Sequence, residues 1–335
     1  MSSCAVPELR MALYFLNLKT FGRSSGGSAV SAAAYRAGER IRDERTGRNY
    51  NHSARHDIMH KEILLPAQFA DAPMDWARDR ASLWNSAERA ESRKNARVAR
   101  EFLVVLPVEL SPSQRLSLAR GFAQELSDRY RFAVDLAIHA PRDFPGSDPR
   151  NFHAHLLATT REVGAEGLGA KTSLELSDSK REALGLGPGI HELLWVRERW
   201  ASVTNAALMD ANLEARVDHR TLQAQGIDRE PYLHIPRIPY ELERHGYRSF
   251  VAERVRADHQ ARVQSRLERA IAQEAAKAGT VGRAVAQPAK AVTNFQSLDE
   301  IRREAREAWL QIRQKTAGSS AAEDKAPNPD EDLAR

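Results

Sequence analysis

The chain has 335 residues, of which 42% are hydrophobic and 28% charged, so it can bury a large core and is neither a disulfide-stapled miniprotein nor a disordered polymer. Lysine and arginine number 50 against 45 acidic residues, and the resulting net charge of +5 favours an anionic partner. The single cysteine, Cys4, excludes an internal disulfide and a thiolate metal cluster, which suits a reducing cytoplasm. No apolar run is long enough to span a membrane and no export signal is recognisable, so we expect neither insertion nor secretion by that route.

The N-terminal part of the chain predicts a leader, a strand and a helix. Residues 1–10 have no periodic pattern and are expected to be disordered. Residues 11–16 form an apolar run that predicts the first strand, and the methionine that opens it is an alternative start. A Gly/Ser loop over 23–28 leads to an alanine-rich segment, 29–38, which predicts a helix ending at its glycine.

The central part predicts two strands and two helices. A short strand over 63–65 ends at a proline, and a helix over 74–93 follows it. Residues 101–107 form a nearly continuous apolar run bounded by charge and proline, which is typical of a strand buried on both faces. Ser111 is placed to cap a helix that continues to Tyr130 with an apolar stripe.

Two strands and a helix complete the predicted core. The strands over 132–139 and 152–160 flank a loop rich in Pro, Gly and Asp, and together they predict a hairpin. A helix over 191–213 carries apolar residues at alternating spacings of three and four, so one of its faces is expected to pack on the sheet.

The composition changes beyond about residue 240 to long helices rich in Arg, Glu, Gln and Ala. We therefore predict a core domain over 11–240, a charged helical extension over 241–316 and a disordered tail over 317–335. A last amphipathic stripe favours a helix docked on its own domain or on a partner, and it consists of Leu298, Ile301, Ala305, Ala308 and Ile312.

Three histidines form the strongest chemical feature of the sequence. His153 and His155 are two residues apart on a predicted strand, so their imidazoles share one face. His139 ends the preceding strand and comes alongside if the two strands pair. Three imidazoles make a divalent-metal site with open positions for water or a substrate oxygen, although a His-x-His pair can also arise by chance among 11 histidines.

The sequence resembles the MobA/MobL plasmid mobilisation relaxases, which are members of the HUH (His-hydrophobic-His) single-strand endonucleases. The resembling segments occur in the order of the family and cover most of residues 11–235: they are 11–16, 23–38, 100–110, 137–140, 151–156 and 217–227. The resemblance implies an α+β fold, in which a central antiparallel sheet of about five strands carries the histidines and is flanked by helices, with the helical extension following it.

The resemblance also implies roles for two further residues. Tyr35, in an Ala-Tyr-Arg context, occupies the position of the family's tyrosine nucleophile, and cationic neighbours can stabilise its phenolate character. Tyr50 is a competing candidate, and Tyr14 a weaker one because it lies in an apolar strand. Glu101 matches an acidic position before the buried strand, where it can take the tyrosine proton, orient a histidine or join the outer shell of the metal, or simply be a solvated carboxylate.

The cationic side chains near these positions are candidate DNA contacts, although a run of charge is often only a solvated face. The candidates are Lys19, Arg23, Arg36, Arg40, Arg42 and Arg220. Arg220 belongs to an Asp-His-Arg cluster that matches a family motif and that can hold a phosphate or complete a helix end.

The implied reaction is the nicking and rejoining of single-stranded DNA at a plasmid origin of transfer, through a 5′-phosphotyrosyl intermediate. The cofactor expected is a divalent metal, Mn or Mg, with Zn, Co or Ni also able to bind three imidazoles. The expected partners are the plasmid strand, relaxosome accessory proteins and a type IV secretion coupling protein. A bacterial cytoplasmic protein that passes to the recipient cell with its DNA fits this role.

Other functions remain open. The segment 164–172 lacks the Gly-Lys-Thr of a phosphate-binding loop, so no nucleotide cofactor is expected, and the residues after the core are too few and too charged for a helicase or primase domain. A stand-alone or truncated relaxase is therefore predicted. The alternatives are a rolling-circle replication initiator or transposase, a catalytically inactive DNA-binding protein and an unrelated three-histidine hydrolase.

Overall fold

The computed structural model describes residues 12–141, 148–231, 233 and 235–277. Its strands are β1 (Leu16–Gly22), β2 (Arg40–Arg42), β3 (Asn49–Asn51), β4 (Ile58–Leu64), β5 (Arg97–Leu106), β6 (Val134–His139), β7 (Phe152–Thr159), β8 (Arg161–Gly164) and β9 (Gly167–Lys171). Its α-helices are α1 (Ala29–Ala37), α2 (Asp75–Arg78), α3 (Arg80–Arg89), α4 (Pro112–Tyr130), α5 (Asp178–Ala183), α6 (Gly189–Asp210), α7 (Arg237–Arg244) and α8 (Phe250–Lys277).

A five-stranded sheet in the order β1-β5-β7-β6-β4 forms the centre of the fold, and every neighbouring pair is antiparallel. Two small hairpins, β2-β3 and β8-β9, accompany it. The sheet, its flanking helices and the helical C-terminal part confirm the α+β fold expected from the sequence. The predicted pairing of β6 with β7 is also confirmed, with His139 directly opposite His153.

The sheet separates two hydrophobic cores because alternate side chains of each strand point to opposite faces. On one face Phe102 and Leu156 pack with helices α4 and α6, whose Phe122 and Trp200 rings lie 5.0 Å apart. On the other face Leu157 belongs to a second core, which is covered by α1 and α3. The histidines have the strand parity of this second face.

Two predicted strands have different bounds. The first strand was expected over 11–16, but β1 begins at Leu16, and in the segment before it the N–H of Ala12 bonds to the carbonyl of Arg216. The strand expected over 63–65 is the end of the longer β4, which lies at the edge of the sheet. An edge strand is partly exposed to water, so it can contain polar residues such as 60–62. The full length of β4 therefore has no continuous apolar run by which it could be predicted from the sequence.

The helix predicted over 74–93 is wrong as a single element. Asp79 has an extended backbone (φ −83°, ψ 119°), which ends α2, and its carboxylate accepts from the N–H of Ser82 at 2.8 Å, which starts α3. Aspartate favours a helix N-cap over a helix interior because its carboxylate satisfies a free backbone N–H. The predicted start of α4 is confirmed, since Ser111 and Gln114 form a capping box.

The chain divides into two compact units after His219. The first contains the sheet and the second contains α7 and α8, whereas the sequence placed the boundary at about residue 240. The expected leader, the tail and the stripe between Leu298 and Ile312 lie outside the described residues. Among those described, no helix combines the length and apolarity that crossing a membrane requires.

Candidate metal and nucleophile site

The three predicted histidines meet at the end of the central hairpin. His139 is the last residue of β6, and His153 and His155 lie on the neighbouring β7. The ring centroid of His139 is 5.3 Å from that of His153 and 4.6 Å from that of His155. The ring centroids of His153 and His155 are 5.2 Å apart. One nitrogen of each ring lies within 4.8 Å of those of the other two. The pairing of β6 with β7 therefore brings the three imidazoles together.

Each imidazole of this triad, His139, His153 and His155, donates one ring N–H to an oxygen that can only accept. The bonds join His153 Nδ1 to the Asn151 carbonyl at 3.0 Å, His155 Nδ1 to Glu101 Oε1 at 2.6 Å, and His139 Nε2 to the Arg36 carbonyl at 2.8 Å. These oxygens fix the tautomers, so the remaining nitrogens carry lone pairs. The available ligand atoms are Nε2 of His153, Nε2 of His155 and Nδ1 of His139.

Burial keeps the triad neutral near pH 7. Desolvation lowers the pKa of His139 well below its usual value, and the neighbouring imidazoles and Arg55 lower it further. Burial lowers the pKa of His153 to about 3, and burial also lowers the pKa of His155 against the opposing charge of Glu101. Three neutral imidazoles with oriented lone pairs are a donor set that fits a divalent cation.

Glu101 links the triad to helix α1. Its carboxylate is 1% exposed and accepts from His155 and from two nitrogens of Arg36, one of them Nη2 at 2.8 Å. Burial alone would raise the pKa of Glu101, but the charge of Arg36 and the hydrogen bonds donated by His155 and Arg36 outweigh it and hold the pKa well below its usual value. Of the roles open from the sequence, the geometry favours orientation of a histidine by an ionised carboxylate.

Tyr35 lies on α1, one residue before the carbonyl that His139 contacts. Its side chain is 3% exposed, and its ring meets the edge of His52 with the centroids 5.2 Å apart. The Arg55 guanidinium lies 4.1 Å from the ring centroid and donates to the Tyr35 carbonyl at 3.1 Å. The structure therefore brings Tyr35 into the surroundings of the triad.

The two rival tyrosines have different positions. The Tyr14 hydroxyl donates to the Arg197 carbonyl at 2.9 Å, the ring packs on the core beneath α4 and α6, and burial raises the pKa of Tyr14 to about 12 against the charge of Arg197. Tyr14 is thus on the face of the sheet opposite the triad. Tyr50 lies in β3 and packs on the core of the triad's own face, so it remains a rival of Tyr35.

The candidate DNA contacts fall into different environments. Arg36 is 2% exposed and committed to Glu101, so in this structure it is a buried partner of the site and not a surface cation. Arg23 is also largely buried, and its guanidinium bonds to the Glu88 carboxylate at 2.9 Å. Lys19 pairs across the strands with Glu101 on the triad's face, 5.0 Å from the Phe21 ring.

Three other predicted contacts lie at the surface. Arg40 and Arg42 are exposed on β2, and Arg220 is exposed in the second unit. Arg55 and His52 were not predicted from the sequence, and they lie in an irregular polar segment before β4. The one clue in the sequence is that a histidine and an arginine follow within 20 residues of Tyr35, and such side chains can interact with a tyrosine.

Comparisons with known proteins identify the type of protein that carries this site. The profile of the MobA/MobL family matches residues 27–245. The chain is 36% identical over 284 residues to mobilization protein MobL of Acidithiobacillus ferridurans, a match covering 78% of this chain and 71% of MobL. It is 31% identical over 295 residues to a probable mobilization protein MobA of Bifidobacterium longum, covering 79% of this chain but 50% of that protein.

Two solved structures show weaker similarity. One, titled for vancomycin resistance transfer in Staphylococcus aureus, is 27% identical with a TM-score of 0.48, covering 63% of this chain and all of that one. The other is the conjugative relaxase TrwC in complex with oriT DNA in its metal-bound form, 12% identical with a TM-score of 0.37, covering 89% of this chain and 99% of TrwC.

The fold and the site define an α+β domain in which a histidine triad lies on a central antiparallel sheet beside a tyrosine-bearing helix. With the family match and the similarity to MobL, this chain belongs to the MobA/MobL family. Its matched region spans most of MobL, half of the Bifidobacterium protein and 21% of the conjugal transfer protein TraA of Sinorhizobium fredii.

Proposed function

We propose that this chain is a DNA relaxase that cuts one strand at a plasmid origin of transfer and later rejoins it. The observation that carries the proposal is the triad of His139, His153 and His155, with three lone pairs converging beside the helix that bears Tyr35. Membership in a family whose relatives are named mobilization proteins supports it. Burying three imidazoles costs folding free energy unless their polar atoms are bonded, so stability of the sheet alone does not explain this cluster.

The reaction proposed is a reversible transesterification. The Tyr35 hydroxyl releases its proton to solvent as its oxygen attacks the scissile phosphorus, the bond from phosphorus to the 3′ oxygen breaks, and that oxygen takes up a proton to become a 3′-hydroxyl. The 5′ phosphate remains bonded to Tyr35, so the reverse attack by a 3′-hydroxyl restores the strand. A divalent cation bound at the triad would polarise the phosphate and offset its growing charge.

The remaining parts of the proposal follow from charge and from the family. Mn or Mg is proposed as the ion in use, and the imidazole donors also suit Zn, Co and Ni. Single-stranded DNA is the proposed substrate, with the exposed Arg40 and Arg42 and the half-buried Lys19 contacting its phosphates. Accessory proteins, a coupling protein, a cytoplasmic location and passage to the recipient remain predictions.

The experiment that tests the proposal is an adduct assay with end-labelled oligonucleotides tiling the transfer origin, with Mn, with Mg and with a chelator. We expect a covalent protein-DNA band on a denaturing gel that needs the ion and disappears in Tyr35→Phe and in His153→Ala. Tyr14→Phe is the matched control, because that hydroxyl lies on the other face of the sheet, and it should keep the band.

The other outcomes separate the alternatives. A band that survives Tyr35→Phe but not Tyr50→Phe would transfer the role of nucleophile to Tyr50. Cleavage without an adduct would indicate a hydrolase, and DNA binding with no cleavage of any strand would indicate an inactive DNA-binding protein.

A further inference from the structure

The Arg55 side chain contacts both Tyr35 and the triad. Its guanidinium stacks on the Tyr35 ring at 4.1 Å, and Nη1 donates to the Tyr35 carbonyl at 3.1 Å. On its other side, Nη2 lies 3.3 Å from Nδ1 of His139. Arg55 is thus a bridge between the proposed nucleophile and a proposed metal ligand.

Asp57 holds this bridge in place. Its carboxylate accepts from Nε of Arg55 at 2.9 Å and from Nη2, so the planar guanidinium is gripped along one edge. The carbonyl of Asp57 also accepts from the N–H of Ala140 at 2.8 Å, which ties the segment to the residue after His139. Arg55 and Asp57 have side chains only 12% and 16% exposed.

The contact with His139 conflicts with metal binding. The Nε2 hydrogen of His139 is bonded to the Arg36 carbonyl. In a neutral imidazole the other nitrogen, here Nδ1, carries the lone pair that can coordinate a metal ion. A guanidinium can only donate, so this lone pair accepts from Arg55. It cannot bond Nη2 and coordinate an ion at the same time, and the positive charge of Arg55 opposes a cation at that point.

We propose that Arg55 is a positioning residue that occupies the ligand atom of His139 in the metal-free chain and, when a divalent ion takes that atom, turns to bind the phosphate attacked by Tyr35. The second half of this proposal rests on the proposed function. The forked guanidinium matches two phosphate oxygens, and its stacking on the Tyr35 ring keeps it beside the attacking group. Asp57 compensates its charge while the ion is absent.

The first test measures metal affinity and needs no nuclease activity. The full-length chain is titrated with Co(II), followed by its visible absorption, and with Mn(II), followed by electron paramagnetic resonance. Arg55→Gln removes the competing donor and its charge, so we expect an ion dissociation constant about tenfold smaller than in the wild type. An unchanged or larger dissociation constant would overturn the competition.

Two further variants make this measurement specific. Arg120→Gln is the matched control, because Arg120 is an exposed cation on α4 paired with Glu62, and it should leave the dissociation constant unchanged. Arg55→Met replaces Arg55→Gln if the latter does not fold, which thermal unfolding in a chelator reports. Arg55→Lys keeps the charge and is expected to bind the ion less tightly than either neutral variant.

The second test measures adduct formation at saturating metal. We expect Arg55→Gln to lower the rate about 100-fold although it binds the ion more tightly, with Arg55→Lys intermediate. Tight ion binding with a wild-type rate would overturn the phosphate role. If the wild type itself forms no adduct, the proposed function fails, while the titration still judges the competition. The phosphate role is then judged by metal-dependent oligonucleotide affinity, which Arg55→Gln must weaken.

Discussion

Glu101 couples a proposed metal ligand to the helix that carries the proposed nucleophile. Its carboxylate accepts from His155 on one side and from Arg36 on the other, and all three side chains are buried. An ionised carboxylate that bonds a metal-ligating imidazole fixes the orientation of the ring and raises its basicity. The same carboxylate neutralises a buried guanidinium, so we expect one residue to contribute to both stability and ion binding.

Glu101→Gln should therefore weaken two properties together. The loss of its charge leaves Arg36 uncompensated, which costs about 3 kcal/mol of unfolding free energy. We also expect a 10- to 100-fold loss of metal affinity because the outer partner of His155 changes. Chemical denaturation in a chelator and a Co(II) titration measure the two effects separately.

A second buried ion pair provides the control for this substitution. Glu175 accepts from Arg100 at 2.5 Å, and both are largely buried, but Arg100 has the strand parity of the face opposite the triad. Glu175→Gln should cost stability of the same order and leave the ion dissociation constant unchanged. An equal loss of metal affinity in both variants would mean that Glu101 acts only through stability.

The pKa values of the triad predict how stability of the metal-free chain depends on pH. Burial depresses the pKa of His139 and His155 and lowers that of His153 to about 3, whereas in the unfolded chain these imidazoles take up protons below about pH 6.5. At a pH below about 6.5 but above the lowered pKa values of the folded state, the unfolded state therefore binds more protons than the folded state. The unfolding free energy should fall as the pH drops below about 6.5, by about 1 kcal/mol per pH unit for each histidine.

Denaturation in a chelator between about pH 7.5 and pH 5 measures this slope. His153→Gln should have a shallower slope than the wild type, because one proton fewer is taken up on unfolding. A wild-type free energy that is constant over this range would contradict the neutral, buried triad.

Among individual residues, the sequence predicted the clustering of the three candidate ligands better than it predicted their surroundings. His139, His153 and His155 were predicted because strand alternation and the hairpin signal place them on one face, and the pairing of β6 with β7 confirms that geometry. The charge of Arg36 suggested a surface contact, since composition does not tell which guanidinium faces a buried carboxylate. Arg55 was missed because it lies in an irregular segment that has no periodicity to interpret.

Helix α1 positions both Tyr35 and Arg36, and its two ends are set by short-range chemistry. Ser28 accepts from the N–H of Ser31 at 3.2 Å at the start, and Gly38 adopts a left-handed backbone with φ +60° at the end. A Cβ on Gly38 would lie 2.4 Å from Cδ1 of Ile58 in addition to the unfavourable φ. The helix end is therefore fitted closely against the start of β4.

Gly38→Ala should reduce the unfolding free energy by about 2 kcal/mol, through backbone strain and the displacement of Ile58. Gly47→Ala is the matched control, because Gly47 has φ +71° and nothing within 4 Å of a Cβ. We expect the control to lose about 1 kcal/mol, since it has the strain without the contact. Equal losses in denaturation experiments would mean that Ile58 gives way at no cost.

Elements with a local signal were predicted well, and those shaped by their neighbours were not. The start of α4 was predicted from Ser111, and the glycine at position 38 ended α1 as expected. The break at Asp79 was missed because the apolar positions of α2 and α3 continue one helical pattern across it. Asp79 carries the N-cap signal for this break, but a single aspartate does not outweigh an apolar pattern that continues through it.

Over the first unit as a whole, the central sheet separates a core on the triad's face from a core on the opposite face. Trp84 on α3 and Trp200 on α6 are both fully buried, but they lie in the two different cores. Trp84 shares its core with α1, and its indole N–H bonds to Asp135 at 2.9 Å. Trp200 packs on Phe122 behind the sheet.

Trp84→Phe and Trp200→Phe should each lower the unfolding free energy by about 2 kcal/mol through lost packing. When only the folded fraction of each variant is considered, Trp84→Phe should raise the metal dissociation constant a few-fold and Trp200→Phe should not. The reason is that α3 packs on α1, whose Arg36 carbonyl accepts the hydrogen bond from His139. Denaturation and Co(II) titration of both variants provide the comparison. A change of metal affinity in Trp200→Phe would show that the two faces are coupled through the sheet.

The candidate ligands lie on one hairpin, whereas Tyr35 lies more than 100 residues earlier in the chain. A short loop loses less entropy on closure than a long one, and local contacts form sooner during folding. We therefore expect the hairpin to gather its imidazoles before α1 docks, even though α1 is synthesised first. In a refolding chain, we therefore expect the half of the site proposed to bind an ion to form before the half that bears the tyrosine, so that an ion able to bind this early half would be present before Tyr35 docks.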